Sequence, residues 1–442
     1  MDTAQSPGPR PAVAAASWAD AGTLLVLLVT VVGFVLPMLL VYPPVRPRPS
    51  ELLSETHSKL GLGWGPDGDD DDAAAKATGT PRIRGLWVYP IKSCPGIRVA
   101  RSAVGPTGLA FDRLFAFAQL ASRFPARAGA DVAAGGRPPD KDGHDDNDND
   151  DDDVWEVITQ RVFPRLATLQ VELAPRAKLA RGWRAVPEIE VVLPIEPDEG
   201  DDGDEDNSNT KKHAAAKPTH GKVRIWRDTV RARNLSAEVP RALQLYLGVS
   251  NRLGVFRVDP AHLRQIFRCA PRKDAAGYQP VTGFQDAYPV HLLNRNSVRA
   301  LNAVVQTDAA LPALDVRRFR ANIVVDGVEA YDEDSWKLVS FKPAPGSPSS
   351  LDEAKFHVSC RTVRCKLPNV NPDTGERHPR EPDFSLRKHR EIDAGAPKMG
   401  CLGMQLTPLF DQPDKPESME LTLEAGMAVD VLARGEHLYV KI

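Results

Sequence analysis

From residue 82 onward the chain is broken into short runs of β-branched and aromatic residues, each stopped by Gly, Pro or a polar cluster. The runs at 82–89, 114–119, 154–159, 169–173, 188–193 and 223–226 have the length and composition of strands. Short strands must pair widely to bury an apolar face, so this pattern predicts a sandwich or barrel-like unit. The same style continues after residue 251. There 290–293 and 323–325 read as buried strands, 336–341 as another, and 403–407 and 438–442 as closing strands. Residues 429–432, preceded by Gly426, predict a hairpin with the last of these. Two helices interrupt the pattern: 236–247, where Ser236 serves as cap and Val239, Leu243 and Leu247 recur at helical spacing, and 297–305. The expected fold class is mainly β with interspersed helices (α+β).

Three segments hold too few large apolar residues to offset the entropy of ordering them: 43–80, 123–153, which ends DDNDNDDDD, and 196–220. The first reads as a tether, the other two as acidic loop insertions; their acids lack the Gly and terminal Glu of a calcium loop. Before the tether, residues 21–42 (AGTLLVLLVTVVGFVLPMLLVY) carry no charge and span about 33 Å as a helix, enough to cross a bilayer. Arg10 is offset by Asp2 and Asp20, and Pro43 and Pro44 follow the apolar core, so the span reads as an uncleaved anchor. Arg46 and Arg48 just after it predict a cytosolic body. The resulting plan is an N-terminal tail (1–20), a transmembrane anchor (21–42), a tether (43–80), a first β-rich domain (81–250) and a second (251–442). A net charge of −3 without a long basic stretch gives nucleic-acid binding no support. Five cysteines, an odd and sparse set, predict a reducing compartment.

Chemistry-bearing residues gather in a few places. Residues 356–375 read FHVSCRTVRCKLPNVNPDTG: an alternating strand leads into Cys365, and a turn closes the unit. Arg364 and Lys366 flank Cys365, and cations beside a thiol favour its thiolate. Cys365 is thus a nucleophile, a soft-metal ligand, or a half-buried cysteine beside surface charges. At 89–96, YPIKSCPG offers Lys92 and a Pro/Gly turn to an anion, or a solvated turn lysine. Arg113 follows Asp112, as a phosphate fork or an ion pair. Residues 317–322 (RRFRAN) set three guanidiniums before an apolar strand, where alternation predicts Arg318, Arg320 and Asn322 on one face. Cys360, His378, His389 and Cys401 surround Cys365 at spacings too loose for a standard zinc site. The sequence contains no G-x-S-x-G, H-E-x-x-H, Walker lysine loop or dinucleotide fingerprint.

Taken together and in this order, GLWVYPIKSCPG, FDRLFAF, FQDAYPVHLLNRNSV, FRANIVVDGVEAYDEDSW and VRCKLPNVNPDTG resemble the MOSC family, in particular its membrane-anchored amidoxime-reducing molybdenum enzymes. The resemblance implies a β-rich MOSC N-terminal domain and a C-terminal MOSC β-barrel with molybdenum cofactor (molybdopterin) between them. It implies Cys365 as the molybdenum ligand, Lys92, Ser93 and Arg113 as residues that hold the pterin and its phosphate, and Arg320, Asn322 and Arg364 as further cofactor contacts. Asp286 falls where the family keeps an acid near the metal, with a role in proton delivery. Animal members carry Ser or Thr where this sequence has Ala287 and Tyr288, and a serine where it has Val363. The activity implied is reduction of small N-hydroxylated compounds such as amidoximes, with electrons from cytochrome b5 and its NADH-dependent reductase, at the outer mitochondrial membrane. Two other readings stand beside it: a sulfur carrier with a persulfide on Cys365, and a non-catalytic membrane adaptor that uses its acidic tracts to bind basic partners.

Overall fold

The fold comes from a computed structural model of the whole chain. It describes residues 29–30, 32–33, 81–121, 153–169, 171, 193, 219–343, 351–415 and 418–440. The N-terminal tail, the tether, most of both acidic insertions and the strand expected at 188–193, apart from residue 193, lie outside the described residues. So does nearly all of the expected anchor, of which only Val29, Thr30, Val32 and Gly33 are described, as helix. Among the described residues no helix is long and apolar enough to cross a membrane.

The described body is mainly β. Its strands are β1 Arg82–Val88, β2 Ile97–Val99, β3 Arg101–Gly105, β4 Gly108–Leu109, β5 Phe115–Leu120, β6 Val154–Val157, β7 His220–Ile225, β8 Asp228–Asn234 and β9 Leu253–Val258. There follow β10 Arg264–Gln265, β11 Val281–Thr282, β12 Val290–Asn294, β13 Ile323–Asp326, β14 Trp336–Lys342, β15 Ala354–Val363, β16 Cys401–Leu409, β17 Leu421–Glu424 and β18 Ala428–Arg434. The α-helices are α1 Arg241–Leu247, α2 Lys273–Ala276, α3 Arg295–Asn302 and α4 Asp383–His389.

Two sheets close on themselves, which removes the unpaired edges that short strands leave. β5 to β9 form one closed barrel. In the larger sheet β13, β12, β16, β15, β14, β18 and β1 are neighbours in that order, and β1 also pairs antiparallel with β13, so the ring returns on itself. β9, just after residue 250, closes the first barrel, whereas β1, from the N-terminal part, joins the second.

Side-chain size explains the small barrel. On β5, Ala116 and Ala118 point inward with Trp155 and Phe256, whose rings lie 5.1 Å apart, while Phe115 and Phe117 pack outside against Leu243 and Leu247 of α1. Small residues on one strand make room for aromatics from the others, and β5 is apolar on both faces because both are covered. The larger barrel is filled by aliphatic side chains and by Phe341 and Phe356, edge to face at 5.5 Å.

Several expectations change. The helix expected at 236–247 is a 3-10 turn, Ser236–Glu238, followed by α1, because Pro240 holds extended backbone (φ −71°, ψ 143°) between them. Residues 435–440 form no strand, and β18 pairs with β14 and β1 rather than in a hairpin with the chain end. Residues 316–319 form a 3-10 turn, with Asp315 accepting a hydrogen bond from the Arg317 amide, so strand alternation does not govern Arg318 and Arg320.

Candidate functional site

A cavity of about 170 Å³ opens where the turn after β1, the tip of the β7–β8 hairpin, the loop before β12, the turn before β13 and the end of β15 converge. Lys92, Ser93, Arg113, Asp286, Arg320, Asn322, Arg364 and Cys365, the eight residues to which the family resemblance gives roles, all line it. Strand pairing brings them together from positions up to 273 apart: β1 lies beside β13, and β13 beside β12, so the ends of these strands share one rim. Four lining residues, Ser93 (φ 66°), Arg113 (49°), Trp226 (57°) and Arg320 (54°), are held in the left-handed region that residues with a Cβ seldom adopt. Each such conformation costs about 1–3 kcal/mol and persists only where surrounding structure imposes it.

Cys365 is half-buried and unpaired, two residues beyond the end of β15 and just before the 3-10 turn Leu367–Asn369. Arg364 is fixed against it: its amide donates to the Gly400 carbonyl (2.9 Å), Nη2 donates to the Phe319 carbonyl (3.0 Å), and its guanidinium lies 5.2 Å from the Phe319 ring.

Opposite stands a packed arginine pair. The guanidiniums of Arg113 and Arg320 each lie 4.3 Å from the Tyr89 ring centre, and Arg113 Nη2 donates to the Arg320 carbonyl at 3.1 Å. Burial, and then the neighbouring Arg113 charge, lower the Arg320 pKa to about 10. Burial pushes the Tyr89 phenol up to about 12 against the pull of both arginines, so it stays protonated and donates to the Ala321 carbonyl (3.3 Å). Asp112 neutralises Arg113 with both carboxylate oxygens at 2.7 Å, and accepts as well from the Tyr89 amide (2.9 Å) and Asn322 Nδ2 (3.0 Å).

Asn322 spends its amide on the frame: Oδ1 accepts from the His291 amide (3.1 Å), and Nδ2 donates to the Trp87 carbonyl (3.1 Å) as well as to Asp112. Arg318, expected on the same face, turns instead to a neighbouring cavity of about 450 Å³ and donates to the Pro368 carbonyl (3.2 Å). Arg320 and Tyr89 line that second cavity too.

Lys92 Nζ is buried and donates to Asp286 Oδ1 (2.5 Å) and to the Phe284 carbonyl (2.8 Å). Burial lowers the Lys92 pKa and the Asp286 charge opposes that shift. Burial would raise Asp286, but Lys92 overcomes it and holds the carboxyl well below the usual carboxylate range. The pair therefore carries one proton, on Lys92. Asp286 is 63% accessible on the open side of the cavity, so solvent screens this contact. Trp226 Nε1 donates to the same carboxylate oxygen at 3.3 Å, and the Arg161 guanidinium stacks 5.0 Å from the Trp226 ring.

Some lining residues carry no motif. His291 sits in apolar β12, and burial, then the charges of Arg364 and Arg113, keep its imidazole neutral. The signal available in sequence was one polar residue inside the apolar run VHLLN. Arg361 and Thr362, on β15, line it as strand residues without a motif, and Tyr288, where animal members carry Ser or Thr, lines it as well. Cys360 and Cys401 are buried, His378 pairs with Asp308 (3.0 Å), and among the described residues no group of three His, Cys, Asp or Glu is placed to hold a metal ion. A metal here would rely on one protein thiolate and on donors from a bound group.

The wall is rich in cations. Lys92, Arg113, Arg161, Arg320, Arg361 and Arg364 line it with the carboxylate of Asp286, while Asp112 and Asp393 (3.2 Å), outside the lining, pair with Arg113 and Arg361. Five of its buried polar atoms, His291 Nε2, Arg320 Nη2, Arg361 Nε, Thr362 Oγ1 and Arg364 Nε, have no hydrogen-bond partner. An unpaired buried polar atom costs about 1–3 kcal/mol, a cost that an acceptor-rich guest such as a phosphate ester removes.

Comparison with known proteins agrees with this layout. Residues 80–249 match the MOSC N-terminal beta barrel domain, and residues 279–409 match the MOSC domain. The mitochondrial amidoxime reducing component 2 of Rattus norvegicus is 26% identical over 326 residues, 74% of this chain and 76% of the relative. The mitochondrial amidoxime-reducing component 1 of Xenopus laevis is 27% identical over 334 residues, 74% and 75% of the two chains. A molybdenum cofactor sulfurase of Anopheles gambiae is 25% identical over 316 residues, 69% of this chain but 32% of that protein. With the two matched segments together supplying most strands of both barrels and the residues that line the cavity, the chain belongs to the MOSC-domain family, of the amidoxime-reducing-component type.

Proposed function

We propose that the chain is a molybdenum-cofactor-dependent reductase of small N-hydroxylated compounds such as amidoximes. The observation that carries this reading is the conjunction in one cavity of an unpaired thiol, six cationic side chains and five buried polar atoms without partners. Soft molybdenum takes a thiolate ligand, and the cofactor's phosphate takes N–H donors; the residues present fit both demands. Cys365 would hold the metal, and Arg364, Arg320 and Arg113, with Lys92 and Ser93 in the turn after β1, would hold the pterin and phosphate. The bound cofactor supplies a two-electron centre able to accept the oxygen of an N–O bond.

The residues of the chain divide the remaining work. Arg113 and Arg320 are stacked in advance on Tyr89, so little ordering is needed when the phosphate arrives. Asn322 sets their backbone through Asp112 and acts as a positioning residue. Proton supply falls to Lys92 Nζ, since Asp286 is held ionised and His291 neutral; Asp286 orients the ammonium and accepts a proton only after Lys92 has given one up. Trp226 and Arg161 form a planar cover beside Asp286 at the mouth, suited to a flat, conjugated N–OH substrate. The resemblance supports electron supply by cytochrome b5 and its NADH-dependent reductase. The uncharged run 21–42, with relatives named as mitochondrial, supports an anchor in the outer mitochondrial membrane.

The test is to produce the full chain in a host that makes molybdenum cofactor, then to measure molybdenum and phosphorus per chain and benzamidoxime reduction with a chemical electron donor. About one molybdenum per chain, lost together with activity in a folded Cys365→Ser variant, is the expected result. Wild type without molybdenum, or Cys365→Ser with full activity, overturns it. The partial match to a cofactor sulfurase favours one rival, a persulfide carrier, which predicts a sulfane sulfur on Cys365 and no metal.

A further inference from the structure

We infer that Cys269 and Cys360 form an oxidisable dithiol that a hydroperoxide converts to an intramolecular disulfide, apart from the chemistry of Cys365. The two lie 91 residues apart in sequence and meet in one small cluster with Ile266, Ala270 and Tyr288. The two side chains pack close enough to perturb each other's titration and that of Tyr288. Both are reduced. Sulfurs packed in one cluster need only a local adjustment to reach bonding distance. Cys360 sits where β15 shifts register against β16, between Val358, opposite Leu406, and its own partner Gln405. A bulge of this kind is a place where a strand can re-aim a side chain.

The two thiols are unequal in the way such chemistry requires. Cys269 is partly exposed in the turn after β10, where its Sγ also donates to the Leu438 carbonyl at 3.5 Å; Cys360 is fully buried. The neighbouring Cys360 lowers the Cys269 pKa to about 6 against burial, and the same contact, then burial, pushes Cys360 well up. Cys269 is therefore the sulfur that ionises first, giving up the proton it donates to Leu438, and Cys360 keeps its own.

The step balances with the peroxide as oxidant. Cys269 sulfur attacks the terminal peroxide oxygen; an S–O bond forms, the O–O bond breaks, and the alcohol or water leaves after taking a proton from solvent. Cys360 sulfur then attacks Cys269 sulfur; the S–S bond forms, the S–O bond breaks, and water leaves with the Cys360 proton. Two electrons pass from the sulfurs to the peroxide. Tyr288, packed against both cysteines, lines the Cys365 cavity, so oxidation of the pair changes the wall of that cavity.

The experiment treats the full-length chain with an equimolar amount of hydrogen peroxide, alkylates it after denaturation, and maps cysteine peptides by mass spectrometry. The expected product is a Cys269–Cys360 disulfide, with Cys94 and Cys401, both buried and pushed up to about 12, recovered as free thiols. In Cys360→Ala, Cys269 is expected as a sulfenic acid captured by dimedone; in Cys269→Ser, which alters a partly exposed position, Cys360 is expected to stay reduced. Recovery of both thiols free, pairing of Cys269 with another cysteine, or oxidation of Cys360 in Cys269→Ser overturns the inference.

Discussion

Replacing Asn322 with alanine tests how the cavity is held in shape. The side chain is buried and joins three segments: the amide of His291 in β12, the carbonyl of Trp87 in β1 and the carboxylate of Asp112 before β5. Loss of three hydrogen bonds removes about 3 kcal/mol at about 1 kcal/mol each, and leaves the His291 amide and the Trp87 carbonyl, both in the interior, without that partner. The expected destabilisation is about 3–5 kcal/mol, or a fall in Tm of about 6–10 °C at about 2 °C per kcal/mol for a body of this size. Urea unfolding followed by circular dichroism measures it. Asn322→Asp separates hydrogen bonding from charge, because it keeps an acceptor for His291 but sets a second carboxylate about 3 Å from Asp112. That new carboxyl has a raised folded pKa, so the folded state binds the additional proton and the deficit of Asn322→Asp shrinks as pH falls from 7 to about 5. The deficit of Asn322→Ala should stay flat over the same range. An Asn322→Ala protein within about 1 kcal/mol of wild type, or two variants with the same pH response, refutes the assignment of Asn322 to the frame.

Gly108 has φ +104°, and a Cβ there would lie 2.3 Å from the Pro289 carbonyl oxygen, just after the 286–288 loop; Gly108→Ala is expected to cost about 3 kcal/mol or more in urea unfolding and to lower cofactor retention with it. His357 is pushed down to about 4, by burial and then by Lys337 and His437, so the unfolded chain binds its proton first as pH falls. Stability should therefore drop by about 2 kcal/mol between pH 6.5 and 4, and His357→Gln should flatten that slope in pH-dependent melts. Lys92→Met removes the charge that holds Asp286 ionised, so Trp226 fluorescence, isolated by difference against Trp226→Phe, should acquire a titration in the mildly acidic range that wild type lacks.

Much of the site was legible in sequence because its residues sit in short, distinctive stretches: YPIKS, FDR, FRAN and VRC lie at strand ends, and barrel closure brings strand ends to one rim. The interior of the small barrel was legible in part. β5 reads as a strand at once, but its two buried faces, one of alanines and one of phenylalanines, follow only from what covers each. The errors trace to local competition. Asp315 captures the Arg317 amide and converts an expected strand into a 3-10 turn, so Arg318 and Arg320 part company. Pro240 divides a helix that apolar spacing alone would have continued. The left-handed backbone at Ser93, Arg113 and Arg320 has no signature in residue type, since it is imposed by distant packing. Asn322 is chemically suited to touch a ligand, and only its three partners reveal that its amide is already engaged.

The place of β1 in the larger barrel bears on how the chain reaches its fold. Arg82–Val88 leaves the ribosome long before its partners β13 and β18, whose last residue is Arg434. Until then its strand partner is the short β2, made just after it, which covers only its last three residues, and the later strands cannot close the ring without β1. Folding of the second barrel therefore cannot finish as an independent C-terminal event during synthesis; it waits for a segment made at the start, and the high sequence separation slows that last step. A fragment beginning after residue 250 would carry two open β-edges and should aggregate, whereas the same fragment supplied with an 81–110 peptide should regain solubility.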